Sequence, residues 1–360
     1  MIVYADNKLK NEVKYIWKTC FPDDTDEFIH FYFKEKYKNE NTLVYLSEGK
    51  AVACLQMLPY AMTFYGKLIP TAYISGAATL PSYQNKGIMK ALLVYAFHEM
   101  SRRKIHLTTL IPQEDWLIRF YEKAAYTPAF EYAEEEIKCN ESIPLSDSIE
   151  IRALTPKNIK EAYNFYSDYF SKINLCIQKS FQDFKAIVNS YVLDQGEVLT
   201  AYENRKIAGI CFISYHQSTV FVKDLIGIKD ALLGYLCRQY SCRNIKLHKP
   251  VNNQEIIRFK GMARIVNPQP LLNIYAAAQP QLSLIFSITD KNISQNNAKY
   301  LIYKGKCRKI DANRIYANVK EYSVSIDLLT RILLGSHLRE CSSDYAIFPP
   351  AHSYMSLMLE

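Results

Sequence analysis

The sequence predicts an α/β protein, α+β in its last part: two copies of one mixed-sheet domain flanked by helices, then a smaller α+β domain. Three observations predict it. A strand, tight polar turn and strand occur twice, as Leu43-Val44-Tyr45-Leu46-Ser47-Glu48-Gly49-Lys50-Ala51-Val52-Ala53-Cys54 and as Leu199-Thr200-Ala201-Tyr202-Glu203-Asn204-Arg205-Lys206-Ile207-Ala208-Gly209-Ile210-Cys211. Each is preceded by two stretches of helical spacing and followed by a further strand and helix. The last hundred residues break that rhythm and carry short strands and one Leu-rich helix.

In the first copy Leu9, Val13, Ile16, Trp17 and Cys20 recur at helical spacing. An acidic break, Asp23-Asp24-Thr25-Asp26, precedes an aromatic-rich helix over 28–37. Strands are expected at 43–46, 52–58 and 73–80. Ile88, Ala91, Leu92, Tyr95, Ala96 and Met100 trace a helix, followed by a strand at 105–111 and a short helix at 116–123. This first domain spans 1–140. The polar stretch 140–148, with Pro144 inside it, reads as a linker. The second copy occupies 149–255, with a strand at 220–226 and a helix at 231–240, and it passes from Gly227 almost directly into that helix. The third domain, 256–360, shows strands at 262–266, 282–288, 299–303 and 315–319 and a helix at 326–334 closed by Gly335.

Composition excludes several classes. A hydrophobic share of 49% with 28 tyrosines supports several packed cores, and 11 glycines with 14 prolines exclude low-complexity segments. The net charge of +8 is spread out; Arg102-Arg103-Lys104 is the densest run, too small for a nucleic-acid footprint. Nine dispersed cysteines form no CxxC pair, and seven histidines form no HExxH, so free thiols and no metal site are expected. The first residues lack a basic stretch followed by an apolar one, and no apolar run reaches the ~18–20 residues that span a bilayer. A cytoplasmic protein with no membrane partner is expected.

Chemistry concentrates at Ala77-Ala78-Thr79-Leu80-Pro81-Ser82-Tyr83-Gln84-Asn85-Lys86-Gly87-Ile88-Met89-Lys90-Ala91-Leu92-Leu93, where a strand ends, a polar loop turns and a helix opens at a glycine. The first amides of a helix lack internal partners and carry the positive end of the macrodipole, so they suit a phosphate. The glycine lets the backbone approach, and Lys86 adds a cation. Downstream stands Phe120-Tyr121-Glu122-Lys123-Ala124-Ala125-Tyr126. The first stretch resembles the Gln/Arg-x-x-Gly-x-Gly/Ala signature of the GCN5-related N-acetyltransferase (GNAT) superfamily, with Gln84 and Gly87 in register and Met89 in place of the usual small residue. The second resembles that family's Phe-Tyr-x-x-x-Gly-Phe/Tyr segment, with Ala125 in place of glycine. Two such domains followed by one similar to sterol carrier protein resemble the Eis-like (enhanced intracellular survival) branch, with Gly261-Met262-Ala263-Arg264-Ile265-Val266-Asn267 looking like the opening of that third domain.

The resemblance implies an acetyl-CoA-dependent N-acetyltransferase acting on a primary amine of a polyamine-, aminoglycoside- or lysine-like substrate, small molecule or peptide. Ala77, Ala78 and Thr79 would line the pantetheine arm, the first and last through backbone hydrogen bonds. Gln84, Asn85, Lys86, Gly87, Ile88 and Met89 would hold the pyrophosphate. It implies Tyr121 as general acid, its phenol protonated at neutral pH, and a carboxylate of Glu360, terminal or side-chain, as base. The apolar run Tyr354-Met355-Ser356-Leu357-Met358-Leu359 before Glu360 suits a tail packed inside the protein. Only the first copy should hold cofactor. The resemblance also implies a homo-oligomer, a trimer or hexamer. Asp23, Asp24, Asp26 and Glu27 either attract a cationic amine or cap the second helix. A rival reading is a protein that binds acyl-CoA or lipid without turnover.

Overall fold

The computed structural model describes residues 1–139, 148–240, 242–251, 257–313, 316, 319–336 and 343–359. Its elements in chain order are β1 (Ile2–Tyr4), α1 (Leu9–Cys20), α2 (Asp26–Glu35), β2 (Thr42–Ser47), β3 (Lys50–Phe64), β4 (Lys67–Thr79), α3 (Ile88–Arg102), β5 (Leu107–Leu110), α4 (Asp115–Glu122) and β6 (Thr127–Lys138). There follow β7 (Ile149–Ala153), α5 (Ile159–Ser171), β8 (Ile177–Gln178), α6 (Phe181–Leu193), β9 (Glu197–Glu203), β10 (Lys206–His216), β11 (Thr219–Gly227), α7 (Lys229–Gln239) and β12 (Asn244–Lys249). The last part holds β13 (Arg258–Ile265), α8 (Pro268–Ala278), β14 (Leu284–Thr289), β15 (Ala298–Tyr303), β16 (Lys306–Ile310), β17 (Lys320–Ser325) and α9 (Ile326–Leu334). Nearly all of the expected linker and most of the strand expected at 315–319 fall outside the described residues.

By contacts the chain divides into one unit of Met1–Phe130 with Lys260–Ser353 and a second of Glu131–Phe259 with Tyr354–Glu360. In the first unit β1, β2, β3 and β4 are antiparallel neighbours, β4 and β5 are parallel, and β13 lies antiparallel to β5. From α3, Leu92, Leu93, Ala96, Phe97 and Met100 enter one core with Leu55, Met57 and Ile74 of the sheet. Of the six positions whose spacing traced this helix, Ile88, Leu92, Ala96 and Met100 are buried, while Ala91 and Tyr95 are exposed. A separate sheet in the order β16-β15-β14-β17 holds β14 and β17 parallel. Over it α9 buries Leu329, Ile332, Leu333 and Leu334.

The second unit repeats the topology. There β7, β9, β10 and β11 are antiparallel neighbours, β11 and β12 are parallel, and β6 lies antiparallel to β12. In each unit a helix, α3 or α7, joins the parallel pair, as parallel strands require. In each, the outer neighbour of that pair comes from far along the chain, β13 beside β5 and β6 beside β12.

The units also share a bulge. Cys54 pairs with Ala78 and Gln56 with Ser75, which leaves β4 an extra residue at Gly76-Ala77. Phe212 pairs with Asp224 and Ile213 with Val222, which leaves β11 an extra residue at Lys223. Three sequence expectations change. None of Asp23, Asp24, Asp26 and Glu27 supplies the side-chain cap of α2: Thr25, between them, accepts from the Phe28 amide at 3.1 Å, while Asp26 and Glu27 sit in the first turn. The thiols are not all free, since Cys139 and Cys237 form a disulfide. Helix α8, whose Pro268 stands in its first turn, was not anticipated.

Candidate active site

Strands β4 and β5 pair only over Thr71–Tyr73 and Leu107–Thr109. Beyond Tyr73, β4 runs on to Thr79 with its described pairing to β3 alone. Backbone groups on the side once facing β5 thus lose their ladder along Ser75–Thr79, and an extended ligand can take its place. The bulge at Gly76 is tightly filled: a Cβ there would stand 2.3 Å from the Trp17 ring. Trp17 is itself fixed by its indole N–H donating to Asp24 at 2.6 Å and by the Tyr32 ring at 4.4 Å.

The open edge leads to the predicted loop. Thr79 pairs with Ala53, a short 3-10 turn follows at Pro81–Tyr83, and Asn85 and Gly87 take φ of 60° and 76° before α3 begins. Gly87 is the N-cap of α3, with no side-chain cap and nothing within 4 Å of the place a Cβ would occupy. Gln84, Asn85, Lys86 and Gly87 are all exposed. The first-turn amides of α3 therefore open onto free space, the arrangement an anion needs. Lys86 holds its ammonium 5.0 Å from the Tyr83 ring centre, beside a depression that reaches the end of β2 at Tyr45 and Glu48. Gln84, though exposed, folds back along the loop and donates from Nε2 to the Thr79 carbonyl at 3.1 Å, bracing it. The Thr79 carbonyl also receives the Cys20 thiol at 3.4 Å. Ile88 is buried and Met89 half-buried, both against the core under α3, so Met89 is accommodated as a packing residue. Ala78 is buried and Ala77 lies at the bulge.

Tyr121 sits in the last turn of α4, 7% exposed and in the same core as Ile88. The turn after it is a Schellman closure. The Tyr126 amide donates to the Tyr121 carbonyl at 3.1 Å, the Ala125 amide donates to the Glu122 carbonyl at 2.8 Å, and Ala125 takes φ 63°. Alanine thus occupies the left-handed position where the resembling motif has glycine. The Tyr121 ring packs edge-on to Phe120 and Tyr126, at 5.2 and 5.8 Å. Burial pushes its phenol up to about 12.

A residue that sequence reasoning left without a role holds this turn. Arg264, fully buried, donates from Nε to the Ala124 carbonyl at 3.0 Å and lies 4.1 Å from the Phe97 ring centre. Its Nη2 donates to both oxygens of Asp290, at 2.7 and 2.9 Å. A buried arginine needs such a partner, yet nothing local in the sequence pairs positions 264 and 290.

The second copy differs where it counts. Gly227 ends β11 at φ 87°, and a Cβ there would stand 2.0 Å from the Ala208 carbonyl oxygen. The turn is sealed against β10, with no loop before α7. By register, Cys54 opposite Ala78 matches Cys211 opposite Leu225, so the counterpart of Ala77 is Asp224. Asp224 is 3% exposed and holds the chain's last segment. The Tyr354 hydroxyl donates to it at 2.8 Å and the Leu357 amide at 2.9 Å. Ser356 receives the Lys179 ammonium at 2.8 Å. The apolar tail is buried in this unit, as its composition suggested; Glu360 lies outside the described residues. A lone aspartate in the apolar run of β11 was the available signal.

The family described as acetyltransferase (GNAT) domain matches residues 2–129. No curated protein matches the sequence. The fold is similar to that of a GCN5-related N-acetyltransferase from Anabaena variabilis, with a TM-score of 0.80, 16% identity, and 99% of this chain and 98% of that one covered. It is also similar to a conserved protein of unknown function from Enterococcus faecalis described as a probable N-acyltransferase, with a TM-score of 0.77, 18% identity, and coverages of 96% and 92%. Eis1 from Mycobacterium abscessus gives a TM-score of 0.74 at 14% identity, with coverages of 99% and 98%. At such identities the likeness is one of fold. No helix among the described residues is long and apolar enough to cross a membrane.

Proposed function

We propose that this chain, an acyltransferase whose residues 2–129 form a GNAT domain taking acyl-CoA as donor, moves the acetyl group of acetyl-CoA onto a primary amine. The observation that carries the reading is the glycine-opened N-terminus of α3, reached by the unladdered edge of β4. The pyrophosphate would sit on the amides from Lys86 to Met89 with the Lys86 ammonium beside it. The pantetheine arm would run along Ala77-Ala78-Thr79. The Thr79 carbonyl is already taken by Gln84, which favours Ala77 as the main backbone partner.

In the reaction a neutral amine attacks the thioester carbonyl, the C–S bond breaks, and the CoA sulfur leaves. Tyr121 serves that sulfur. With its phenol near 12 and a free thiol at about 8–9, donating a hydrogen bond to the developing sulfur charge is the role that burial favours. The amine's proton goes to a carboxylate of Glu360. The acceptor is an aminoglycoside-, polyamine- or lysine-like amine. The region 256–360 is read as a sterol-carrier-like domain, and the chain as a homo-oligomer.

An acetyl-CoA turnover assay over polyamines, aminoglycosides and lysine peptides tests this, comparing the full chain with one lacking residues 359–360. Amine-dependent thiol release is expected. Tight acetyl-CoA binding without release for any amine would replace the enzyme reading by one of ligand binding. Full activity after truncation would remove only the Glu360 base.

A further inference from the structure

Three cysteine sulfurs of the second unit, one in a helix and two beside strands, meet within 4.8 Å of one another. Cys139 directly follows β6, and its amide donates to the Arg243 carbonyl at 2.9 Å, continuing the ladder that ends with Lys138 opposite Asn244. Cys237 lies in the last turn of α7. Cys242 lies between α7 and β12, with its sulfur 3.3 Å from that of Cys139. In the structure Cys139 and Cys237 are joined as a disulfide, with Cα atoms 5.2 Å apart. Among the described residues this is the one cluster of three or more side chains with ligand atoms close enough to share a metal ion.

We propose that the reduced triad Cys139, Cys237 and Cys242 is a three-thiolate site for a soft divalent metal ion of the zinc class, closed when Cys139 and Cys237 oxidise to the disulfide. A zinc–thiolate bond is about 2.3 Å, so sulfurs around a tetrahedral ion stand roughly 3.8 Å apart. Once the disulfide is reduced, the triad needs only a small outward turn of two side chains. The backbone is placed without the ion, by a strand ladder and by a helix. Cys139 and Cys237 are half-buried and give an ion access, while Cys242 is buried beneath them. The fourth position falls to water or another ligand. Three thiolates around a divalent ion leave one net negative charge, and each cysteine has an exposed basic neighbour in sequence: Lys138, Arg238 and Arg243. Thiolate ligation by soft ions outweighs the cost of removing the protons.

The step balances. A dithiol reductant supplies two electrons and two protons to the disulfide, giving two thiols. Three thiols then release three protons as they take up the ion. Oxidation passes two electrons to an oxidised dithiol, solvent returns three protons, two to that dithiol and one to Cys242, and the metal leaves.

The test uses the full chain, reduced and metal-free, titrated with Cd2+ and followed by thiolate-to-metal charge-transfer absorption and by proton release. One equivalent bound is expected, and Cd2+ should displace Zn2+ from the zinc-loaded chain, since the softer ion prefers thiolate. Affinity should fall at least ~10-fold in Cys139→Ser and in Cys242→Ser, since each removes one ligand. Cys307→Ser, in the first unit, should bind as the parent does. The oxidised chain should bind no equivalent. Circular dichroism checks that the variants fold, and Cys139→Ser, at the half-buried position, is the variant expected to keep its fold. No stoichiometric binding by the reduced parent, or unchanged binding in both serine variants, would overturn the proposal.

Discussion

The Tyr354 hydroxyl donates to Asp224 Oδ1 at 2.8 Å, in a region where Asp224 is 3% exposed and Tyr354 5%. The same carboxylate takes the Leu357 amide on its other oxygen, so one aspartate fixes the course of the last segment. Removing it orphans the buried Tyr354 hydroxyl and the half-buried Leu357 amide. Asp224→Ala should cost roughly 2–4 kcal/mol, read by urea denaturation, and should expose the tail to carboxypeptidase. Asp224→Asn, which keeps two acceptor lone pairs on one oxygen, should cost less. A tail equally resistant in Asp224→Ala would show that it is held by apolar packing alone.

At Gly87 the left-handed backbone and the free space in front of it make separable demands. Gly87→Val should lose about 1–2 kcal/mol from the strained φ. Its methyls should also fill the place of a phosphate oxygen and raise KM for acetyl-CoA at least ~10-fold, with a smaller effect on kcat. An unchanged KM would move the pyrophosphate elsewhere.

Tyr121→Phe should leave KM for acetyl-CoA near its parent value and lower kcat by roughly 10²–10³, the loss of one donor to a developing charge. The phenol's rise to about 12 also sets pH behaviour. The folded state holds this proton more tightly than the unfolded chain, whose phenol titrates near 10. Its contribution of roughly 2–3 kcal/mol is therefore complete below pH ~10 and lost as pH rises toward ~12. The kcat profile should show no alkaline fall owed to Tyr121 up to pH ~10. A limb near pH ~8 that vanishes in Tyr121→Phe would contradict this.

Arg264→Met should destabilise the first unit by about 3–5 kcal/mol, because Asp290 would keep a buried, uncompensated charge. The double variant with Asp290→Asn should recover much of that loss. Denaturant midpoints of the two single variants and the double variant supply the cycle.

What the sequence made legible was local. The strand–turn–strand repeat, the Gly87 turn and the C-terminal glycine of α9 follow from periodicity and backbone preference within a dozen residues. Gly335 closes that helix at φ 70° as expected. What it hid is long-range. Arg264 with Asp290, Asp224 with Tyr354, and Cys139 with Cys237 and Cys242 are joined by the fold across 26 to 130 positions. The exchange of outer strands was hidden too: a strand was expected at 262–266 without its neighbour β5, and neither β6 nor β12 was anticipated.

The sealed turn at Gly227 bears on stoichiometry. With the Ala208 carbonyl oxygen 2.0 Å from any Cβ added there, building a phosphate loop would take inserted residues as well as a freed backbone. A single exchange would not reopen it. The second unit therefore offers no such loop, and titration calorimetry should find a single acetyl-CoA per chain however many chains assemble.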